Sequence, residues 1–346
     1  MSFVDIVESI RKDVEAYKSE KRTPVYLALN ESPHPFPEGL LKEFFEKVDP
    51  ATLRTYFDSP CEELVKQIAE YVSTERWKAR VDQISIGNGA DEIIYNLLNM
   101  FKKLRIFIFP PTYSCYEIFA RALGVRLRKV PLVGERLNLK FLKKVLSQDC
   151  VVFLPNPNNP TGHLFEEEEI FFLLKTGSLV VLDEAYYDFC GKSYVSFVEE
   201  FENLIVVRTF SKAFCLASQR IGYMVASSKL IDAYDRIRLP YNVSYLSQML
   251  ASLVLSKRDI FFERVRRIVQ ERERLKEKLR RMNFKVSDSV ANFVFIYLED
   301  DEKERMHRLF LENGVAVRKT EFGIRIGVGS SEQNELVLKI LEGFRC

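Results

Sequence analysis

Residues 150–189 read CVVFLPNPNNPTGHLFEEEEIFFLLKTGSLVVLDEAYYDF. The run CVVFLPN is apolar, rich in β-formers and closed by Pro and Asn, which predicts a buried strand. Residues 166–175 predict a helix, and SLVVL opens a second short apolar run. Strand, helix and strand in succession are the unit of a mostly parallel sheet with helices on its faces.

The same alternation extends outward. Upstream, QISIGNG is a predicted strand and turn with a helix at 89–101, RIFIF a strand with a helix at 114–123, and VRLRKVPL a strand with a helix at 139–147. Downstream, NLIVVRTF and GYMVAS are predicted strands, and a helix follows at 228–237. Near the start, residues 3–18 predict a helix, VYLALN a short strand, and 38–47 and 60–73 two further helices. Beyond about residue 240 helices dominate, at 244–255 and 257–281. Shorter strands at 293–298, 315–318 and 323–328, a helix at 302–312 and a last one from 331 complete the chain. The expected organisation is a large α/β domain over 31–243 and a smaller α+β domain from 1–30 with 244–346, the chain ends lying close together.

The 346 residues carry 51 Lys and Arg against 49 Asp and Glu, a formal net charge of +2. That balance offers no bulk attraction for nucleic acid or a membrane surface. The stretch RERERLKEKLRR alternates in sign and reads as a solvated helix face. The six cysteines show no C-x-x-C pair, and three histidines (34, 163, 307) are too few and too scattered for a zinc set, so no metal site is expected. No leader peptide is recognisable and no apolar run reaches the ~18 residues of a membrane span. A cytoplasmic protein with reduced thiols is the expectation.

Ligands of open α/β sheets bind beyond the carboxyl ends of the strands, and five strand ends carry unusual residues. GNGADE (87–92) opens a helix whose free N–H groups suit an anion, although a plain turn explains it equally well. Tyr113 in PPTYSCY could face a planar ligand or simply pack. PNPNNPTGH (155–163) restricts its own backbone and would hold Asn159 rigidly. Asp183 follows four apolar residues, where a carboxylate is costly unless it meets a positive charge. It could cap the following turn or pair with a cationic ring nitrogen, with Tyr186 beside the same ligand. TFSKAFCLASQR (209–220) places Lys212 where a strand gives way to a loop. An enclosed lysine can act as a neutral amine on a carbonyl, and Ser211 and Arg220 suit a phosphate. A single surface lysine is commoner, but together the five ends supply an amine, a carboxylate, ring-oxygen donors, a stacking ring and an anion cradle. That set matches pyridoxal 5'-phosphate.

PNPNNPTGH, LDEAYYDF and RTFSKAFCLASQRIGY, in this order, resemble the fold type I, aspartate-aminotransferase-like enzymes. YLALNESPHPFP, RTYFDSPCEELVKQIA, PPTYSCYEIFA, RLPYNVSYLSQ, ANFVFI and GVAVRKTEFGIRIGVG resemble, within them, the histidinol-phosphate aminotransferase family. The similarity runs from about residue 25 to the end. It implies the fold type I α/β transferase fold, with a large mostly parallel sheet domain and a smaller α+β domain. It also implies a homodimer and amino transfer between L-histidinol phosphate and 2-oxoglutarate, with pyridoxal 5'-phosphate as cofactor.

By the same resemblance Lys212 holds the cofactor and moves a proton, Asp183 faces the ring nitrogen, and Tyr186 and Asn159 bond the ring oxygen. Tyr113 stacks on the ring, while Ser211, Arg220 and the backbone of Ala90 and Asp91 hold the phosphate. Tyr56 reaches the site from the neighbouring subunit. Arg325 grips a carboxylate and Arg318 assists with the substrate phosphate, with Tyr17 and Tyr241 as outlying candidates. Ser32 stands where the family often has Asn, which alters a turn. Aromatic-amino-acid transfer and decarboxylation of a phosphorylated amino acid such as threonine phosphate are the rival activities.

Overall fold

The computed structural model describes residues 2–14, 19–57 and 61–345. In chain order it runs α1 (Phe3–Asp13), β1 (Val25–Tyr26), α2 (Glu38–Lys47), α3 (Glu62–Val72), β2 (Ile84–Gly87), α4 (Gly89–Met100), β3 (Arg105–Ile108) and α5 (Cys115–Ala122). Next come β4 (Leu127–Lys129), α6 (Leu139–Val145), β5 (Cys150–Pro155), α7 (Glu167–Lys175), β6 (Leu179–Asp183), β7 (Leu204–Thr209), β8 (Gly222–Ala226) and α8 (Ser228–Asp235). The last third holds α9 (Tyr245–Ser256), α10 (Arg258–Arg281), β9 (Phe293–Tyr297), α11 (Asp300–Glu312), β10 (Val315–Ala316), β11 (Arg318–Thr320), β12 (Gly323–Gly327) and α12 (Ser331–Arg345).

The large sheet has the order β2-β8-β7-β6-β5-β3-β4, and only β8 runs antiparallel to its neighbours. Strands β5, β7 and β8 are buried from end to end, and β6 and β3 everywhere but at their first residues. Side chains alternate between two apolar layers, as strand geometry requires. Val151, Phe153, Val181, Ile205 and Val207 meet α4 and α5 residues on one face. Val152, Leu154, Val180, Leu182, Leu204 and Val206 meet α3, α7 and α9 residues on the other.

A separate apolar cluster joins Leu27, Leu275, Leu279, Val294, Ile296, Phe310, Ile324, Ile326 and Leu341. It packs the antiparallel β11-β12-β9 sheet against α10, α11 and α12. The two-stranded parallel pair β1–β10 ties the start of the chain to this unit. The 24-residue α10 spans about 36 Å. It sends Phe261, Val265 and Ile268 to the large-sheet core but Leu275 and Leu279 to the smaller one.

Several expected elements are shorter than the sequence suggests. The first helix stops at Asp13, where Val14 turns to an extended conformation. VYLALN contributes only two strand residues, Val25 and Tyr26, and the run closes at Asn30, which takes a left-handed φ of 55°. The 315–318 run divides into β10 and the start of β11.

Candidate active site

The strand pairing gathers every predicted strand end on one edge. Pro155 pairs with Asp183, Asp183 with Val207, Thr209 with Gly222, and Gly222 with Gly87. Gly222 permits a close approach there. A Cβ on it would lie 2.7 Å from the Ala90 nitrogen and 2.8 Å from the Gly89 carbonyl carbon. The N-terminus of α4 therefore rests directly on β8.

At that N-terminus Gly89 has φ +74°, and a Cβ on it would meet Arg220 NH2 at 2.6 Å. Arg220 itself is left-handed, at φ 49°. Its guanidinium donates to Asp91 Oδ2 at 3.0 Å, and Tyr113 donates to Asp91 Oδ1 at 3.0 Å. Thr209 Oγ1 accepts from the Ser211 N–H (3.1 Å) and lies 2.9 Å from Ser211 Oγ and 3.3 Å from the Ile221 carbonyl, so the two hydroxyls form a hydrogen-bonded pair at the end of β7. Helix N–H groups, a guanidinium and a hydroxyl at one edge make an anion site.

Asp183 is buried at the end of β6. Its carboxylate accepts from the Ala185 N–H at 3.1 Å and from Tyr116 Oη at 3.2 Å, both neutral donors. Burial pushes its carboxyl up to about 6, with those two hydrogen bonds opposing the rise. A buried carboxylate held this way gains strongly from a cation laid against it.

Lys212 is partly buried, and its Nζ donates to the Leu29 carbonyl at 2.8 Å. The amine lies 6.0 Å from the centre of the Tyr186 ring. Burial, aided by the charge of Arg325, lowers its pKa to about 8. A large neutral fraction at mildly alkaline pH makes this amine a nucleophile.

Tyr186 is buried, edge-on to Phe293 at 5.1 Å. The Arg325 guanidinium stands 5.4 Å over the same Phe293 ring and donates to Asn159 Oδ1 and to the Ala28 carbonyl, each at 2.6 Å. The loop carrying Asn159 is held by Asn158, which donates to the Pro111 carbonyl (3.0 Å) and to Thr161 Oγ1 (2.7 Å). The smaller unit also clasps it, through Ser287 Oγ on the Thr161 carbonyl and the Val290 N–H on the Gly162 carbonyl. Arg318 pairs in register with Arg325 across β11–β12, so both guanidinium side chains leave the same face of that sheet. Arg318 NH1 lies 3.8 Å from Glu20 Oε1.

Thus Lys212, Asp183, Tyr186, Asn159, Ser211, Arg220, Asp91, Ala90 and Tyr113 lie along one edge of the large sheet, and Arg325 reaches them from β12 of the smaller sheet through Asn159. Tyr56 does not join them within one chain. It is 83% exposed and packs on Tyr241, ring centres 4.8 Å apart. Tyr241 also meets the Phe57 ring, centres 5.8 Å apart, and Tyr17 lies outside the described residues.

Three contributors escaped the sequence reading. Tyr116 lies under Asp183. The Leu29 and Ala28 carbonyls accept from Lys212 and Arg325 respectively. The third is a buried ion pair directly behind the site. Arg208 Nε and NH2 donate to Glu184 Oε2 at 3.1 and 2.9 Å, with Ser193 and the face of the Tyr187 ring closing the shell. It joins the end of β6 to the end of β7, one residue from Asp183 and four from Lys212. A charged residue inside an apolar strand, in NLIVVRTF, was the available signal.

These residues fit pyridoxal 5'-phosphate. The buried carboxylate with only neutral donors awaits a cationic ring nitrogen, the lowered amine awaits a carbonyl, and the open α4 N-terminus with Ser211 and Arg220 awaits the phosphate.

The sequence pattern of the family Aminotransferase class I and II matches residues 22–341. Over 339 residues the chain is 51% identical to the histidinol-phosphate aminotransferase of Thermotoga maritima, covering 98% of this chain and 99% of that one. It is 34% identical to the enzyme of that name from Thermococcus kodakarensis, covering 97% and 98%. The solved histidinol-phosphate aminotransferase of Clostridium acetobutylicum superposes with a TM-score of 0.82 at 26% identity, covering 93% and 99%. The Sinorhizobium meliloti enzyme of the same name, solved with pyridoxal-5'-phosphate, shares the fold at a TM-score of 0.83 and 22% identity, covering 94% and 92%. The chain belongs to the class I and II aminotransferases, in the group of the histidinol-phosphate aminotransferases.

Proposed function

We propose that this protein transfers the amino group of L-histidinol phosphate to 2-oxoglutarate, giving imidazole acetol phosphate and L-glutamate. The observation that carries the reading is the placing of the Lys212 amine, the Asp183 carboxylate and the Arg325 guanidinium around one sheet edge. The near-full-length identity to enzymes of that name supports the choice of substrate.

Pyridoxal 5'-phosphate, when bound, supplies a ring that accepts the electrons released at the substrate carbon. Lys212 holds it and then, as a free amine, carries the proton to and from that carbon. Asp183 pairs with the ring nitrogen, Tyr186 and Asn159 bond the ring oxygen, and Tyr113 covers the ring. Ser211, Arg220 and the Ala90 and Asp91 N–H groups take the phosphate. Arg325, with Arg318 on the same face, meets the anionic end of each substrate in turn: a phosphate in one half-reaction, a carboxylate in the other. Bidentate guanidinium donors serve both anions.

Tyr56 and its exposed surroundings belong, in this reading, to a homodimer interface, from which Tyr56 reaches the partner's phosphate. The two-domain division at 31–243 against 1–30 with 244–346 is part of the same proposal, adjusted in one respect. The pivot falls within α10, since its first half packs with the large sheet. No described helix is long and apolar enough to cross a membrane, and a cytoplasmic setting for this biosynthetic step is our inference.

The test is a comparison of turnover with L-histidinol phosphate, phenylalanine, tyrosine and threonine phosphate as donors. Preference for L-histidinol phosphate with dependence on 2-oxoglutarate supports the reading. Preference for an aromatic amino acid, or carbon dioxide release without an oxo acid, overturns it.

A further inference from the structure

Asn30 is 1% exposed and sits 156 positions from Tyr186 in the chain, yet its Nδ2 donates to the Tyr186 hydroxyl at 2.9 Å. Its own backbone is pinned. It takes φ 55°, and its carbonyl accepts from Asn292 Nδ2 at 2.9 Å, a contact that is also buried. The two residues before it hold the two working cations of the site, Leu29 through Lys212 and Ala28 through Arg325. Asn30 is thus the side-chain member of a three-residue strap whose other members act through backbone carbonyls.

A phenol has one proton to give and lone pairs to accept with. Because Asn30 donates, the Tyr186 oxygen is an acceptor on that side and its proton must point elsewhere. The charged and titratable groups around Tyr186 are Arg325, Asp183, Asp91 and the Lys212 amine. Arg325 is itself a donor, engaged with Asn159 and Ala28. Asp183 is engaged by Tyr116 and Ala185.

We propose that Asn30 is a positioning residue that fixes the polarity of the Tyr186 hydroxyl, so that Tyr186 always donates toward the ring oxygen of the bound cofactor. This rests on the assignment of Tyr186 to that oxygen in the proposed function. Asn suits the position twice over. It tolerates the left-handed backbone, and its amide supplies a donor that Asp, Ser or Thr would not reliably present to a hydroxyl.

The test uses full-length protein loaded with pyridoxal 5'-phosphate and reads the pH midpoint of the cofactor's visible absorbance. Asn30→Gly keeps the backbone conformation and removes the donor. Asn30→Asp reverses the bond, since a carboxylate takes the Tyr186 proton for itself. Both are repeated in a Tyr186→Phe background to separate an effect through the hydroxyl from one of packing or charge. The expected result is a midpoint raised by about one pH unit in Asn30→Asp and by less in Asn30→Gly, with both shifts largely abolished when Tyr186 is Phe. Equal midpoints in wild type and both variants, or shifts that persist undiminished in the Phe background, overturn the proposal. Wild-type protein with no cofactor absorbance at all would overturn the functional reading itself. Thermal unfolding of the cofactor-free variants identifies any that fail to fold, and the remaining one then decides.

Discussion

Asp183→Asn should make the cofactor-free protein more stable and the loaded protein useless. In the free protein the Asp183 carboxyl titrates at about 6 rather than 3.8, because burial disfavours its charge. The folded state therefore binds this proton more tightly than the unfolded state does. Stability from this group is fully present below pH 3.8 and is lost as pH rises to 6 and beyond. A displacement of about two pH units corresponds to roughly 3 kcal/mol. Asparagine carries no such charge, and its amide can still accept from Ala185 and donate to the Tyr116 oxygen.

The advantage of the variant should grow from about 1 kcal/mol at pH 4.5 to about 3 kcal/mol at pH 7.5. At roughly 2 °C per kcal/mol the neutral-pH gain is about 6 °C in melting temperature. The assay is thermal unfolding of both cofactor-free proteins across that pH range, followed by the same scan with pyridoxal 5'-phosphate. Cofactor should stabilise the wild type far more than the variant, because only a carboxylate gains from a ring cation. Equal melting temperatures at pH 7.5, or a difference that does not change with pH, would refute the reasoning.

Other outcomes follow from the same geometry. The Lys212 amine should react with a carbonyl reagent with a pH midpoint near 8, because burial lowers it; mass-spectrometric labelling rates across pH 6–11 measure this. Gly222→Ala should lower cofactor affinity at least tenfold, read by fluorescence titration. Its Cβ would fall 2.7–2.8 Å from backbone atoms of Gly89, Ala90 and Arg208 and push α4 off the sheet edge. Arg208→Met should cost about 3–5 kcal/mol in urea unfolding by stranding the buried Glu184 charge, and adding Glu184→Met should restore much of that loss.

The sheet and its loaded edge were legible because they are local in sequence. Strands β5 and β6 are buried on both faces and read as short unbroken apolar runs, and β7 reads the same way up to Arg208, so polar residues mark where each run closes. Ligands meet a parallel sheet just beyond such ends, so Asp183 and the loops that carry Asn159 and Lys212 stood out by their position in the sequence. The edge strand β4 was read from VRLRKVPL as well, although two of its three residues are exposed.

The strap at 28–30, Tyr116 under Asp183, and the Glu184–Arg208 pair were not legible. Each depends on residues far apart in the chain, and an ordinary Asn, Tyr or Arg carries no local mark of its partner. The division of α10 between two cores was hidden for a related reason. Phe261 through Leu279 keep one helical period, and nothing in that period records that the surface they meet changes midway. Tyr56 shows the opposite case: RTYFDSP marked it as functional, but one chain leaves it 83% exposed.

The most direct test of the account is to follow the nitrogen. Loaded protein would be incubated with L-histidinol phosphate labelled in its amino nitrogen and with unlabelled 2-oxoglutarate, and the glutamate formed would be analysed by mass spectrometry. Labelled glutamate is expected from the wild type and none from Lys212→Ala. Unlabelled or absent glutamate from cofactor-loaded wild type would contradict the proposed transfer.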